Sequence, residues 1–133
     1  MPIKVLLADD SDVMRTAIVS LLNEESSIRV LAEASTFAQT VQMIADLKAD
    51  ILILDLHMPQ KRQFSPALVK AQLASVDLIA VSFSNDDEAR ALAESYGAVN
   101  LLDKMKLYGD LIPAIKRCLE KSTQTIKHKP AVA

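Results

Sequence analysis

The sequence predicts an α/β domain built on a five-stranded parallel sheet with helices on both faces. Short apolar runs alternate with stretches in which apolar residues recur at helical spacing, and five such pairs follow one another. The third apolar run, Ile51-Leu52-Ile53-Leu54, contains no polar residue. A run of this kind is typical of a strand that is buried on both faces of a parallel sheet.

Composition narrows the class of protein. A chain of 133 residues, half of them hydrophobic, is long enough for one domain with a sizeable core. A net charge of −2 gives no electrostatic footprint for nucleic acid, and no apolar run is long enough to cross a bilayer. The single cysteine, Cys118, excludes an intramolecular disulfide, and the apolar start is too short for a signal peptide. We therefore expect a cytoplasmic protein that binds neither nucleic acid directly nor a membrane.

The first two strand–helix pairs fill the N-terminal third. The first strand is predicted over Ile3–Ala8, and the polar run Asp9-Asp10-Ser11-Asp12 after it offers several N-caps for a helix. The second strand, Ile28–Ala34, has a less even apolar pattern, which fits a place near the sheet edge. Thr36 is the predicted N-cap of the second helix.

The third pair and the fourth strand follow. The third strand is predicted over Asp50–Leu54 and leads directly into Asp55. Ser65-Pro66 combines an N-cap with a proline at the first helical position, so it predicts the start of the third helix. The fourth strand is predicted over Leu78–Val81.

The last helices are delimited by a glycine and a polar segment. The fourth helix is predicted to begin at Asn85 or Asp86 and to stop at Gly97, before a fifth strand over Val99–Leu102.

The fifth helix is predicted from about Asp110 to about Leu119, with Pro113 tolerated because it falls in the first turn. The predicted domain spans residues 1–121, and residues 122–133 are predicted to form a polar, flexible tail.

Strict alternation of strands with helices, together with right-handed crossover connections, leaves few possible strand orders for the sheet. For five strands the commonest is the flavodoxin-like doubly wound order 2-1-3-4-5, here with five helices in a single domain. In this order the functional site lies where the strand order reverses, between the first and third strands.

Polar residues stand at the carboxyl ends of four strands that neighbour one another in this order. They are Asp9, Asp10, Asp55, Ser82 and Lys104. Because the carboxyl ends of parallel strands meet at one edge, these side chains are predicted to converge.

Three carboxylates in one place need a cation. Two like charges about 4 Å apart repel by roughly 4 kcal/mol at an effective dielectric near 20. All-oxygen ligands favour a hard ion, and we expect Mg²⁺. Three carboxylates, one lysine and a divalent ion sum to zero charge, which suits the approach of a phosphoryl group.

With these motifs, the chain resembles response-regulator receiver domains over residues 3 to about 120. The residues that carry the resemblance are Leu6-Leu7-Ala8-Asp9-Asp10, Leu52-Ile53-Leu54-Asp55-Leu56-His57-Met58-Pro59, Val81-Ser82 and Leu102-Asp103-Lys104.

The resemblance implies that Asp55 is the phospho-acceptor and takes a phosphoryl group from the phosphohistidine of a sensor histidine kinase or phosphotransfer protein. It implies that Asp10, Asp55 and the backbone carbonyl of His57 hold Mg²⁺, with Asp9 assisting, often through water. The His57 side chain occupies a position at which family members tune hydrolysis, although an exposed loop histidine is the favoured interpretation.

The resemblance also implies that Ser82 and Lys104 bind the phosphoryl oxygens and that a water later hydrolyses the acyl phosphate. The interval of 22 positions from Ser82 to Lys104 matches the family and selects Lys104 over Lys106.

Four positions depart from the family pattern. Leu101 replaces a usual aromatic residue, Phe83 a usual small residue, Gln63 a usual glycine and Met105 a usual proline. Phe83 is expected either to narrow access to Asp55 or to take over the rotating role of the missing aromatic residue.

We expect a phosphorylation switch that signals by contact with a downstream protein, in which catalysis is limited to self-phosphorylation and slow self-dephosphorylation. A homodimer through the fourth helix, fifth strand and fifth helix is common in the family. Three alternatives stay open: a haloacid-dehalogenase-like phosphatase that uses Asp10, an interaction domain that no longer switches, and the receiver part of a longer regulator.

Overall fold

The structure, a computed structural model, describes residues 2–58 and 65–132, with side chains described up to residue 120. Five strands form one parallel sheet. They are β1 (Ile3–Ala8), β2 (Ile28–Ala34), β3 (Ile51–Asp55), β4 (Asp77–Ser82) and β5 (Asn100–Asp103). Their order is β2-β1-β3-β4-β5, as the alternation predicts, and β2 is an edge strand.

Within residues 2–58 and 65–132, five α-helices connect and cover the strands. They are α1 (Asp12–Asn23), α2 (Phe37–Asp46), α3 (Pro66–Gln72), α4 (Asp87–Ser95) and α5 (Leu107–Val132). A short 3₁₀ helix, Lys104–Lys106, separates β5 from α5.

Side-chain N-caps fix where four helices begin. Ser11, Thr36, Ser65 and Asp86 each accept a hydrogen bond from the backbone N–H three residues later. Thr36 and Ser65 are predicted caps, and the structure selects Asp86 over Asn85 before α4 and Ser11 from the four candidates before α1. Gly97 has a φ of 81°, which confirms it as the stop after α4.

Alternate residues of β3 supply two cores. Ile51 and Ile53 face a cluster that includes residues of α1 and α5, whereas Leu52 and Leu54 face a cluster that includes residues of α2, α3 and α4. All four are at most 1% exposed, which confirms the interpretation of this run as a strand buried on both faces. Cys118 is a buried thiol in the first cluster.

The predicted bounds of the fifth helix are wrong. α5 begins at Leu107 rather than near Asp110, and it continues to Val132 instead of ending near Leu119. Pro113 therefore lies beyond the first turn, where it cannot donate a backbone hydrogen bond to the Gly109 carbonyl. The separation of residues 122–133 as a flexible tail stays a prediction.

Smaller differences concern the ends of three strands. β3 and β4 include Asp55 and Ser82, and β5 is shifted by one residue to Asn100–Asp103, because pairing continues one residue beyond the apolar run.

Among the described helices, none has both the length and the apolar character needed to cross a bilayer. Pro59 and Gln63, which the sequence singled out, lie outside the described residues.

Candidate functional site

The sheet places the predicted site residues at one edge. Asp9 follows β1, Asp55 ends β3, Ser82 ends β4 and Lys104 follows β5. Parallel registry sets these ends level, since Asp55 pairs with Val81, and Ser82 pairs with the residue before Lys104. Four segments far apart in sequence therefore deliver polar side chains to the place where the strand order reverses.

Three carboxylates form a compact cluster. One oxygen from each of Asp9, Asp10 and Asp55 lies within 4.8 Å of the others. Asp9 and Asp55 are buried, whereas Asp10 is exposed. Two buried carboxylates at this separation repel each other strongly unless a cation is close.

Lys104 supplies one such cation. Its Nζ lies 2.9 Å from Asp9 Oδ2 and 3.3 Å from Asp55 Oδ2, and only 5% of its side chain is exposed. Lys106, the rival lysine in the sequence, is exposed. The ammonium group therefore bridges the two buried carboxylates.

The cluster also fits a hard divalent ion. Asp9 Oδ2 is fully buried and makes no hydrogen bond, so the ion pair with Lys104 is the interaction found for it within the described residues. The exposed Asp10 offers a further carboxylate from the solvent side. An all-oxygen donor set with an under-satisfied buried oxygen matches the preference of Mg²⁺.

Ser82 is hydrogen-bonded to His57, for which the sequence favours an exposed loop position. His57 Nε2 lies 2.8 Å from Ser82 Oγ, and the Ser84 backbone N–H donates to the same oxygen at 3.0 Å. The His57 backbone N–H donates to Asp55 Oδ1 at 3.0 Å. His57 is exposed as a residue, as the sequence predicts, but its ring and backbone each contact a site residue.

Hydrogen bonding extends from Ser82 toward α4. The backbone N–H of Ala89 donates to Asp86 and is the main reason that the pKa of this carboxyl lies below its ordinary value. The Ser84 side chain and, more weakly, the charge of His57 lower the Asp86 pKa further. Ser84 therefore connects Ser82 to the N-cap of α4 through hydrogen bonds.

Arg15 is a site residue that sequence reasoning missed. Its guanidinium donates to the Asp9 backbone carbonyl at 2.6 Å, pairs with Asp12, and lies 3.6 Å from Glu33 Oε1. Its place at the start of α1, six residues after Asp9, is the sequence signal that could have identified it. Arg15 fixes the backbone of the segment that carries the first two acidic residues.

Phe83 and Leu101, two departures from the family pattern, differ in environment. The Phe83 side chain is 60% exposed, yet its ring centroid lies 5.0 Å from Lys104 Nζ. Leu101 is partly buried and packs against the cluster formed with α4. Met105 is 77% exposed.

Comparison with known families identifies the chain's relatives. The model described as "Response regulator receiver domain" matches residues 5–116. A protein-glutamate methylesterase/protein-glutamine glutaminase of Geobacter sulfurreducens is 28% identical over 127 residues, which are 95% of this chain and 34% of that protein. A similarly named protein of Vibrio vulnificus is 32% identical over 103 residues, 76% of this chain and 30% of that protein. The chain therefore spans about a third of the length of these relatives.

Solved structures agree on the fold. The signal receiver domain of a response regulator, NarL, from Mycobacterium tuberculosis superposes with a TM-score of 0.79 at 23% identity, covering 90% of this chain and 97% of that one. The response regulator domain of Thermotoga maritima CheB gives 0.77 at 21% identity, covering 90% and 98%. Both are similar to this chain over nearly their full length.

Proposed function

The chain belongs to the response regulator receiver domain family, and from this premise we propose that Asp55 accepts a phosphoryl group from a phosphohistidine of a sensor kinase or phosphotransfer protein. The observation that carries the proposal is the position of Lys104. Its ammonium lies 3.3 Å from Asp55 Oδ2 at the carboxyl end of β3. A carboxylate next to a fixed cation is suited to receive a group that brings negative charge.

The transfer requires few bonds to change. A carboxylate oxygen of Asp55 attacks phosphorus, a P–O bond forms, and the P–N bond breaks as the imidazole leaves with the electron pair and takes a proton. In the later hydrolysis, a water oxygen forms a new P–O bond and its proton passes to solvent. The P–O bond to Asp55 breaks, which releases inorganic phosphate and restores the carboxylate. Lys104 neutralises charge on the phosphoryl oxygens, and the Ser82 hydroxyl donates a hydrogen bond to one of them.

Asp9, Asp10 and Asp55, with the backbone carbonyl of His57, would hold Mg²⁺. A bound divalent ion supplies charge neutralisation and polarises the phosphoryl oxygens. The under-satisfied Asp9 Oδ2 and the clustered carboxylates support this assignment.

The output is proposed to be contact with a downstream protein, with no turnover of an external substrate. The methylesterase and glutaminase named in the relatives belong to proteins about three times as long as the matched segment, so they are not carried over to this chain. A cytoplasmic location and a homodimer both stay predictions.

The experiment is phosphorylation by acetyl phosphate with Mg²⁺, followed by intact-mass and peptide mass spectrometry. The wild-type chain is expected to gain one phosphoryl group on Asp55, and Asp55→Asn is expected to gain none. Asp10→Asn separates the rival phosphatase mechanism, since it is expected to weaken Mg²⁺ binding, so that more Mg²⁺ is needed, and to leave Asp55 as the acceptor. An adduct on Asp10, or none on the wild type, contradicts the proposal.

A further inference from the structure

Phe83 places an aromatic ring beside the site from an exposed position. The residue directly follows Ser82 at the end of β4, and 60% of its side chain is open to solvent. Its ring centroid is nevertheless 5.0 Å from Lys104 Nζ, within the range of a cation–π interaction. The Phe83 side chain therefore lies mostly outside the core, and its ring contacts the Lys104 ammonium.

The ring completes the surroundings of the ammonium group. Lys104 Nζ has three N–H donors, and Asp9 Oδ2 and Asp55 Oδ2 lie at 2.9 and 3.3 Å. In the described part of the chain, the Phe83 ring is the third group found next to Nζ. Only 5% of the Lys104 side chain is exposed, although the lysine stands at the rim of the sheet.

We infer that Phe83 is a positioning residue: the face of its ring holds the Lys104 ammonium over the Asp9–Asp55 pair and limits its access to water. The inference rests on the proposed function, because the ammonium so positioned is the cation that meets the incoming phosphoryl group. A flexible four-carbon side chain loses orientation freedom when an aromatic face and two carboxylates hold its end. Charge that is already oriented costs no reorganisation when the phosphoryl group arrives.

A purely steric role for the Phe83 ring predicts the opposite change in the rate of Asp55 phosphorylation. If Phe83 acted only as a cover, its removal would open Asp55 and speed reaction with a small donor. If its π face positions Lys104, removal slows that reaction even though access improves. The sign of the effect, and its dependence on aromaticity rather than bulk, therefore separate the two roles.

The test compares Phe83→Leu, Phe83→Tyr and Phe83→Ala in the full chain. Leucine keeps apolar bulk without a π face, tyrosine keeps the π face, and alanine removes both. Tyr108→Ala is the matched control, because Tyr108 is an aromatic residue that is 83% exposed. Two quantities are measured: the rate of Asp55 phosphorylation by acetyl phosphate with Mg²⁺, and the exchange of the Lys104 Nζ protons with water by ¹⁵N NMR without phosphodonor.

Phe83→Leu and Phe83→Ala are expected to slow phosphorylation by about two- to fivefold, which corresponds to about 0.4–1 kcal/mol at 1.4 kcal/mol per tenfold. Both are expected to speed Lys104 proton exchange, whereas Phe83→Tyr and Tyr108→Ala match the wild type. A wild-type rate in Phe83→Leu, or a faster rate in Phe83→Ala, overturns the inference.

The NMR measurement distinguishes failure of this inference from failure of the proposed function. Absence of phosphorylation in the wild-type chain contradicts the proposed function alone, and proton exchange still tests the contact between Phe83 and Lys104. Normal phosphorylation combined with Lys104 exchange that is identical in Phe83→Leu and wild type contradicts the inference alone.

Discussion

Replacing Lys104 with methionine removes the ammonium between Asp9 and Asp55 and keeps a side chain of similar length. The two oxygens lie 2.9 and 3.3 Å from Nζ, so each attraction is about 5 to 6 kcal/mol at an effective dielectric near 20. Desolvation of the three groups offsets most of this attraction. Loss of one partner from a buried ion pair costs about 3–5 kcal/mol, because the remaining charges stay buried.

We therefore expect Lys104→Met to lower the free energy of unfolding by about 3–5 kcal/mol without Mg²⁺, measured by urea denaturation. Mg²⁺ is expected to stabilise the variant more than the wild type, because the cation replaces the missing positive charge. A Mg²⁺ concentration about 100-fold above Kd adds about 2.7 kcal/mol.

Lys106→Met is the matched control, because Lys106 lies in the same short 3₁₀ helix and is exposed. Its replacement is expected to change stability by less than about 0.5 kcal/mol. In the double variant Lys104→Met/Asp55→Asn, the loss is expected to be smaller than the sum of the single losses, since one buried charge is gone. Equal stability of Lys104→Met and Lys106→Met without Mg²⁺ would refute the reasoning.

Three further predictions concern stability, each measured by urea or thermal unfolding. Gly97→Ala is expected to lower the free energy of unfolding by about 1–2 kcal/mol, because φ at this position is 81°. The same change at the helical Gly109, where an added Cβ meets nothing within 4 Å, is expected to raise it by about 0.5–1 kcal/mol. Equal effects of the two substitutions would contradict this prediction. Phe37→Ala is expected to cost about 3–5 kcal/mol because Phe37 is fully buried, and a loss below about 1 kcal/mol would be inconsistent with that burial. A hydrogen bond from Lys116 lowers the pKa of Glu25 below 4.5, so its stabilisation is present above pH 4.5 and is lost as the pH falls toward the folded-state pKa. Lys116→Met is expected to flatten the loss of stability as the pH falls below 4.5, and an unchanged slope there would exclude this contribution.

Local patterns were sufficient to predict the sheet. The apolar run of β3 has side chains that alternate between the two cores, so its sequence alone indicates a strand covered on both faces. Alternation with helices then leaves few strand orders, and the observed order follows. Caps such as Thr36 and Ser65-Pro66 were predictable because capping depends on a few consecutive residues.

Bounds that depend on tertiary packing were predicted less well. Periodicity placed the start of α5 near Asp110, but Leu107 and Leu111 are both buried in the core shared with α1. Their burial favours a start one turn earlier and offsets the cost of Pro113 inside the helix.

The sequence by itself determined which polar residues stand at the carboxyl ends of neighbouring strands, because strand periodicity and order are local and topological properties. Only the tertiary structure decided which atoms meet there: His57 with Ser82, Arg15 with the Asp9 carbonyl, and Phe83 with Lys104. These contacts depend on side-chain rotamers and on strand registry across segments far apart in the chain, and no spacing in the sequence encodes either.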